Sequence, residues 1–498
     1  MNTPATAAAQ RMAAGPSGPA GGNGDGGGDD AATSVVSLYV KQQQIYARAV
    51  SGWFAGWRWA LVWATQLLFY GLPWLQWNER QMVLFDLGAR RFYLFGMVLY
   101  PQDFIYLTAL LIISAYSLFL FTAVAGRLWC GFACPQTVYT EIFMWVERKL
   151  QGDRVARMKR DAGPWNLERS ARALAKQSAW IAIALWTGFT FVGYFTPIRT
   201  LAQLVMQFAL GPWETFWILF YGLATFGNAG FLREQVCKYM CPYARFQGVM
   251  FDKDTLIISY DPERGEPRGA RSRKADRRTL GKGDCIDCTL CVQVCPTGID
   301  IRKGLQYECI GCAACIDVCN GVMDKMAYPR GLIRYDTQNA MAQHLSPGQR
   351  LRRVFRARVL IYSAILLLLV GALVTSLTLR SPLRVDVVRD RASLARLVDD
   401  GHIENIYRLQ IMNATEAPQR YRVAVRGLPE LRIAGSDTVE VLPAEARWIT
   451  VALRVPPETS AARGAGAHPI EFEVQRLEPG SAAPSARRVE ASTFVLPR

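Results

Sequence analysis

The sequence predicts a multi-domain membrane protein: an α-helical membrane domain with five transmembrane helices, a cytosolic bacterial-ferredoxin-like module for two [4Fe-4S] clusters, and a C-terminal immunoglobulin-like β-sandwich. Three observations lead to this fold class. Five apolar runs have the length that a helix needs to cross a bilayer, roughly 20 residues. Two runs of four cysteines have the spacing of bacterial ferredoxins. The segment after residue 380 contains short alternating runs and no cysteine.

The composition excludes several classes of protein. Of the 498 residues, 51% are hydrophobic and 20% are charged, which is too apolar for a disordered chain. The formal net charge of +16 beside this apolar content is typical of a membrane protein with basic flanking loops, and it favours such loops over nucleic-acid binding. The three histidines, His344, His402 and His468, lie outside the apolar runs, which excludes a transmembrane bis-histidine haem.

The first 34 residues are rich in Gly, Ala, Pro, Asn and Asp and hold almost no large apolar residue. Such a tract buries too little surface to offset the entropy of ordering it, so we expect a disordered tail over 1–34. The tract lacks the apolar core of a secretory signal peptide, and the first long apolar run begins only near Trp57.

Four of the apolar runs fall in a predicted membrane domain at 35–250, and the fifth is a predicted transmembrane helix at 358–380. The runs cover residues 57–77, 104–125, 179–195, 213–232 and 359–379. The loops after the second and fourth runs are rich in Lys and Arg, whereas those after the first and third are poor in them. The positive-inside rule therefore predicts a multi-pass protein of the bacterial inner membrane, with a cytoplasmic N-terminus and a periplasmic C-terminal domain. The alternative is a set of buried helices in a large soluble domain.

Each pair of spans in the membrane domain is closed by the motif Cys-x-x-x-Cys-Pro. The motif occurs at Cys130 and Cys134, and again 107 residues later at Cys237 and Cys241. Residues i and i+4 share one face of a helix, so each pair is predicted to present two thiols side by side. Soft thiolates suit Cu(I) or a redox-switching disulfide, and the equivalent repeat positions predict that the four thiols share one site. The alternative is that these cysteines are small buried apolar residues.

The most specific motif is a pair of four-cysteine runs in the predicted cytosolic domain at 251–357. The first run holds Cys285, Cys288, Cys291 and Cys295, followed by Pro296, and the second holds Cys309, Cys312, Cys315 and Cys319, followed by Asn320. In bacterial ferredoxins the fourth cysteine of each run ligates the other cluster. The predicted ligands are therefore Cys285, Cys288, Cys291 and Cys319 for one [4Fe-4S] cluster, and Cys309, Cys312, Cys315 and Cys295 for the other. The alternative is zinc, but a zinc site needs neither the final three-residue gap nor the crossed pairing.

A basic tract precedes the cysteine runs. It consists of Arg264, Arg268, Arg271, Arg273, Lys274, Arg277, Arg278 and Lys282. The tract lacks the interleaved aromatic residues of a nucleic-acid site, and we interpret it as a loop that lies against anionic lipid. Asp103, Glu214 and Asn228 lie in or beside apolar runs, where polar side chains are candidates for function, although Asp103 and Glu214 also suit the membrane interface.

The last segment, 381–498, is predicted to contain seven short strands. The alternating or β-branched runs cover residues 383–388, 405–413, 420–425, 438–442, 448–455, 470–474 and 488–494. Gly, Pro, Asn and Asp separate them. Seven strands in a segment of this length are typical of an immunoglobulin-type β-sandwich.

Taken together, these features resemble the cytochrome c oxidase accessory protein family CcoG, also called FixG or RdxA, of bacteria that make the cbb3-type oxidase. The resemblance runs from about Val36 to the end, and it includes both Cys-x-x-x-Cys-Pro motifs, the twin cysteine runs and the stretch from Asn320 to Met326. It implies a membrane-bound iron–sulfur electron-transfer protein that acts in oxidase assembly by reducing Cu(II) to Cu(I), a cupric reductase activity. It further implies oxidase-assembly or copper-delivery proteins and an electron donor as partners. Under this resemblance, the copper or redox thiols are Cys130, Cys134, Cys237 and Cys241.

Two other functions stay open from the sequence. Membrane subunits of quinol dehydrogenases, resembling NapH or NosR, also combine Cys-x-x-x-Cys-Pro with ferredoxin-type clusters, but they have no immunoglobulin-like tail. A structural assembly scaffold, in which the clusters serve only to fold the protein, is the other alternative. Copper reduction takes one electron and each cluster supplies one, so the chemistry is compatible with the first function.

Overall fold

The computed structural model describes residues 44–275, 280–390, 395–398, 401–477 and 486–497. The tail predicted at 1–34 lies outside the described residues, and so do Arg277 and Arg278 of the basic tract. From Ile45 onward, backbone contacts join the chain into one unit.

Helices dominate the chain as far as residue 378. The first eight α-helices in the described residues are α1 (Trp53–Gly71), α2 (Phe104–Ala125), α3 (Leu128–Phe132), α4 (Pro135–Gln151), α5 (Arg154–Ala162), α6 (Leu167–Val192), α7 (Ile198–Met206) and α8 (Pro212–Thr225). The others are α9 (Pro242–Met250), α10 (Pro262–Gly265), α11 (Leu290–Gln293), α12 (Ala314–Met326), α13 (Gln338–Ala342), α14 (Pro347–Val354), α15 (Ala357–Thr378) and α16 (Pro457–Arg463). Short 3₁₀-helices cover Leu72–Trp74, Pro101–Asp103 and Ile301–Lys303, and π-helices cover Phe226–Leu232 and Val236–Met240.

Three helices within the described ranges are long and apolar enough to cross a membrane: Pro101–Ala125, Pro212–Leu232 and Ala357–Thr378. They correspond to the second, fourth and fifth predicted runs. The first and third runs are helical as well, in α1 and α6, but α1 contains Arg58 and α6 begins with a charged segment upstream of the predicted run. Spans at those two positions therefore stay a prediction.

Two small sheets that the sequence did not predict lie between α1 and α2 in the chain. Their strands are β1 (Gln76–Trp77), β2 (Arg80–Gln81), β3 (Val83–Asp86), β4 (Arg91–Leu94) and β5 (Met97–Leu99), and β1 pairs with β2 in the first sheet. Strands β3, β4 and β5 form an antiparallel sheet in which Leu84 pairs with Tyr93 and Tyr93 pairs with Val98. These side chains share one buried cluster with Met412 and Ala444 of the C-terminal segment, so this loop docks on the following domain.

The segment with the two cysteine runs is framed by an antiparallel strand pair, β6 (Ile257–Tyr260) and β7 (Ile333–Asp336). Helices α11 and α12 lie between these strands in sequence and carry cysteines of the first and second runs. Ile258, Ile316, Met323 and Ile333 form a shared apolar core with several of the cysteines. The core thus fixes both runs to one small module.

The C-terminal segment forms two antiparallel sheets. Its strands are β8 (Leu383–Arg389), β9 (Arg396–Leu397), β10 (Ile403–Asn413), β11 (Gln419–Arg426), β12 (Arg432–Ala434), β13 (Thr438–Val441), β14 (Ala446–Val455), β15 (Gly466–Leu477) and β16 (Arg487–Leu496). One sheet has the order β12-β14-β10-β8, with β9 beside β10, and the other has the order β13-β11-β15-β16. Alternate side chains of β10 and β15, including Tyr407, Leu409 and Phe472, are fully buried between them. The seven predicted strands are confirmed, and β9 and β12 are additional.

A buried carboxylate joins the membrane helices to this sandwich. Asp103, just before α2, is completely enclosed and forms ion pairs with Arg380, after α15, and with Arg384 of β8, the latter at 2.9 Å. It also accepts the backbone N–H of Tyr100 at 3.1 Å. The Asp103 side chain, which the sequence marks as a candidate for function, therefore links the helices to the β-sandwich. Glu214 lies in the first turn of α8, where a carboxylate interacts favourably with the helix dipole.

Candidate iron–sulfur and thiol sites

The eight cysteines of the two runs line two adjacent cavities. The first cavity is lined by Cys285, Cys288, Cys291 and Cys319. The second is lined by Cys295, Cys309, Cys312 and Cys315. Each cavity therefore has three thiols from one run and the fourth from the other, which is the grouping that crossed ligation requires. Cys291 borders both cavities, so they share a wall.

The two cysteine loops have matching backbones. Thr289 and Ala313, each directly after the second cysteine of its run, have φ angles of 57° and 59°. Asp287 and Gly311, each directly before that cysteine, have φ angles of 55° and 69°. Non-glycine residues rarely adopt such angles, at a cost of order 1–3 kcal/mol each, so the surrounding fold must impose them. The same strained turn thus wraps both cavities.

The runs differ after their fourth cysteine. Pro296 follows the first run, and α11 ends earlier, at Gln293. Asn320 follows the second run and lies inside α12, which continues to Met326. The Asn320 side-chain oxygen accepts the N–H of Gly331 at 3.0 Å, so this residue fastens α12 to the segment before β7.

The donor sets fit iron–sulfur clusters. Burial raises the pKa of the Cys291 thiol to about 11 and those of Cys309 and Cys319 to about 12. Buried thiolates are unfavourable alone, and a positively charged metal core at the same place offsets that penalty. In the part of the chain that the structure describes, no group of three or more His, Cys, Asp or Glu side chains converges on a single metal ion. Three thiols of one run and the fourth thiol of the other surround each cavity instead.

The helical prediction for the Cys-x-x-x-Cys-Pro pairs is wrong for the second cysteine of each pair. Cys130 lies in α3, but Cys134 is extended, with φ −62° and ψ 129°, and precedes the first residue of α4. Cys237 lies in a π-helix, and Cys241 is also extended, with φ −80° and ψ 110°. The cause is the following proline, which disfavours helical conformation at the residue before it and favours the first position of a new helix.

The structure nevertheless brings the two repeats together around these thiols. Cys130 and Cys237 pack against one apolar cluster. The nearby Cys241 thiol contributes to raising the pKa of both. Burial raises the pKa of Cys130 to about 11 and that of Cys237 to about 12. Gln247, which is fully buried, lies with its amide nitrogen 3.4 Å from the Cys130 sulfur. The four thiols are thus neighbours, without forming a closed ligand set for one ion.

The first thiol motif packs directly on the second cysteine cavity. A Cβ atom placed on Gly131 would lie 2.6 Å from the Gly311 carbonyl oxygen and 2.8 Å from the Cys312 Cα. Glycine is therefore required here by the close approach of two backbones. Cys237 and Cys312 line one further cavity between the two regions. Both repeats accordingly contact the loop that carries Cys312.

Arg127 fixes this contact, although no motif in the sequence marks it as a site residue. Its guanidinium donates to the carbonyl oxygens of Cys309 and Ala244, each at 3.0 Å, and to that of Tyr307. It is buried and joins the first repeat, the second repeat and the cysteine module. A buried arginine with carbonyl partners is a strong positioning group, because its hydrogen bonds are charge-assisted.

Two further residues attach α1 to the module. Asp317, between the last two cysteines of the second run, accepts the N–H groups of Phe54 at 3.2 Å and Ala55 at 2.7 Å. Arg58, one turn further on, is buried and lies 3.4 Å from the carbonyl oxygen of Cys312. Arg58 could have been identified as a candidate site residue, because it is a charged residue inside an apolar run. No comparable signal in the sequence identifies Asp317 or Gln247.

Two arginines of the basic tract, which we interpreted as a loop against lipid, contact protein groups. Arg264 forms an ion pair with the buried Asp284 at 2.6 Å, and Arg271 donates to the carbonyl of Gly283 at 2.5 Å and to the hydroxyl of Tyr328 at 3.1 Å. The described part of the tract therefore folds around the start of the first cysteine run. Local hydrogen bonds to the loop, rather than lipid, account for these two arginines.

Comparison with known families agrees with this architecture. Residues 232–338 match a 4Fe-4S dicluster domain, and residues 107–152 match a 4Fe-4S binding domain. Residues 373–497 match the family described as an IG-like fold at the C-terminal of FixG. The first match contains the eight cysteines of the two runs together with the second thiol motif, and the second match contains the first thiol motif.

Relatives cover most of the chain. It is 40% identical over 410 residues to protein RdxB of Cereibacter sphaeroides, which spans 81% of this chain and 86% of that protein. It is 37% identical over 436 residues to the nitrogen fixation protein FixG of Rhizobium meliloti, spanning 80% of this chain and 83% of that one. The ferredoxin-type protein NapH of Haemophilus influenzae is 26% identical over 205 residues, spanning 38% of this chain and 66% of that protein. The chain therefore belongs to the family of FixG and RdxB, as an iron–sulfur redox protein related to the ferredoxin-type protein NapH.

Proposed function

We propose that this protein reduces Cu(II) to Cu(I) during assembly of a cbb3-type cytochrome c oxidase, with the four thiols of the Cys-x-x-x-Cys-Pro motifs as the copper site. The observation that carries the proposal is the packing of Gly131 on Gly311 and Cys312, which places the first thiol motif against the loop of the second cysteine cavity. The neighbouring positions of Cys130 and Cys237 support a single thiol site.

The two cavities would hold [4Fe-4S] clusters on the crossed cysteine sets. When bound, each cluster supplies one electron, which is the number that Cu(II) gains on becoming Cu(I). The contribution of the chain is to hold soft thiols close to this source, and thiolates favour the Cu(I) product. Gln247 orients the Cys130 sulfur, and Arg127 keeps both repeats on the cysteine module.

The proposed location is the bacterial inner membrane. Five spans are proposed, made by α1, α2, α6, α8 with its π-helical extension, and α15. The Lys and Arg of the loops after the second and fourth spans support a cytoplasmic position for the N-terminus, the thiol motifs and the clusters. The β-sandwich then lies in the periplasm, where oxidase-assembly or copper-delivery proteins are its proposed partners.

The test is copper reduction by variants of the thiol motifs. Cys130→Ser and Cys237→Ser should each abolish anaerobic Cu(I) formation, measured with a chromogenic chelator, while the visible absorption of the clusters stays. Ala133→Ser is the matched control, since it adds a hydroxyl between the two cysteines of the first motif and leaves both thiols intact. Undiminished rates in both cysteine variants would rule out the thiol site.

The similarity to NapH favours a second candidate, an electron-transfer subunit of a quinol dehydrogenase. The NapH match spans only 38% of this chain. The match at 373–497 is to the C-terminal domain of FixG and therefore favours the first candidate. Stopped-flow oxidation of a soluble quinol by the purified protein separates the two. Quinol oxidation without copper reduction would support the second candidate.

A further inference from the structure

We propose that the surface around Cys288 is the docking site for an acidic one-electron carrier protein, which donates to the first cysteine cavity. The inference rests on the proposed electron-transfer function, because it assigns the two cavities to opposite ends of one route. Its basis is the difference in surroundings between the cavities, together with the charges beside the exposed one.

The second cavity faces the membrane domain. Its Cys312 loop contacts Gly131, Arg127 and Arg58, so protein covers this side. The side chains that line both cavities come from the cysteine module, so the cavities differ in what covers them and not in their lining. Of the twelve cysteines, Cys288 is the exposed one, and it belongs to this cavity. A carrier from solvent therefore reaches the first cavity more closely than the second.

The basic tract gives this face its charge. Gly269 donates its N–H to the Cys285 carbonyl at 3.2 Å, and Arg271 is bound to the same loop, so the tract lies over the start of the first run. From 264 to 275 the sequence has five Lys and Arg against one Glu. Arg273, Lys274 and Lys282 are exposed and present positive charge to solvent.

The acidic residues near Cys288 are already paired. Asp287, directly before it, forms an ion pair with Arg302 at 2.5 Å, and Asp300 forms another with the same guanidinium at 2.8 Å. One guanidinium offsets one of these two carboxylate charges, and the three exposed basic side chains of the tract exceed the one that remains, so the local field is positive. Such a field steers an oppositely charged partner and accelerates its association, with a range of about 8 Å at physiological salt.

The partner is therefore a small acidic protein with its redox centre near the surface, such as a ferredoxin-type carrier. The exchange moves one electron from the carrier to this protein, and no bond forms or breaks. A neutral or basic carrier would gain nothing from this surface. Anionic lipid is the competing occupant, and the experiment is arranged to distinguish it.

The experiment measures binding with the full-length holoprotein in detergent micelles. The probe is a purified acidic [2Fe-2S] ferredoxin, and the affinity is compared at low and high salt. The double variant Lys274→Glu with Lys282→Glu should weaken binding at least about tenfold, and high salt should do the same to the wild type. The control is Lys159→Glu with Lys253→Glu, two exposed lysines elsewhere with the same change of net charge, which should change the affinity less than about twofold.

Cluster content and the extent of bleaching by dithionite should be unchanged in every variant, which shows that the module is folded. Equal ferredoxin binding by the two double variants would overturn the proposal. So would a loss confined to binding of phosphatidylglycerol vesicles, which would assign the surface to lipid. Copper is absent from this assay, so failure of copper reduction in the wild type refutes the proposed function and leaves the docking result unaffected.

Discussion

Gly131→Ala tests the contact on which the proposed copper route depends. Gly131 lies in α3, and in an ordinary helix alanine is more favourable than glycine by about 1 kcal/mol. Here the added Cβ would meet the Gly311 carbonyl oxygen at 2.6 Å and its carbonyl carbon at 2.7 Å. Ordinary contact begins near 3.4 Å, so the backbones must separate by roughly 0.8 Å. Overpacking of this kind costs about 1–3 kcal/mol, which equals or exceeds the helical gain.

The expected result is a net loss of up to about 2 kcal/mol together with slower copper reduction. Thermal unfolding of the holoprotein, followed by loss of visible cluster absorption, reports the first, and Cu(I) formation with a chelator reports the second. Gly321→Ala is the matched control. Gly321 lies inside α12 with nothing within 4 Å of the added Cβ, so this variant should be more stable by up to about 1 kcal/mol and equally active.

The two substitutions therefore have opposite expected signs although their chemistry is identical. A Gly131→Ala protein that is stabilised as Gly321→Ala is, and that reduces copper at the wild-type rate, would show that the two backbones are not in contact. The thiol motif would then lose its structural link to the second cavity.

Three further predictions concern the clusters, the domain join and the topology. Cys295→Ala should damage the cluster held by the second run, and loss of the other cluster in EPR spectra would refute crossed ligation. Asp103→Asn leaves two partly buried arginines without their carboxylate, which should lower stability by up to about 3 kcal/mol; a proteolysis rate of the β-sandwich equal to that of the wild type would contradict this. A reporter active only in the periplasm should be active when fused after Arg380 and silent when fused near Arg271, and the reverse pattern would invalidate the charge-based orientation.

The parts of the fold that depend on local pattern were predictable. The spacing of the cysteine runs indicates the grouping around the two cavities, because three thiols on one loop need the fourth from elsewhere. The seven strands follow from alternation and turn residues. The conformations of Cys134 and Cys241 also have a local signal, because the proline after each disfavours helix at the cysteine and outweighs the i, i+4 spacing.

The contacts between distant segments were not predictable from one sequence. Asp317 serves the N–H groups of Phe54 and Ala55, which are more than 260 positions away. Nothing in the sequence distinguishes Gly131 and Gly311 from other glycines, and their importance follows from the contact between their backbones in the structure. From the sequence, Asp103 is interpreted as a carboxylate at the membrane interface. Its ion pairs with Arg380 and Arg384 in the structure show that it joins two domains. In each case the partner is set by tertiary packing and leaves no local trace.

The position of Asp317 has a consequence for biogenesis. This carboxylate caps the start of α1, and it lies between Cys315 and Cys319, one from each cysteine set. Because metal binding and folding are coupled in such sites, the capping group reaches its place only when that stretch of chain is ordered. We therefore expect iron supply to govern when the first helix is anchored, and a chain that lacks its clusters should present α1 loose, in a form that membrane proteases recognise.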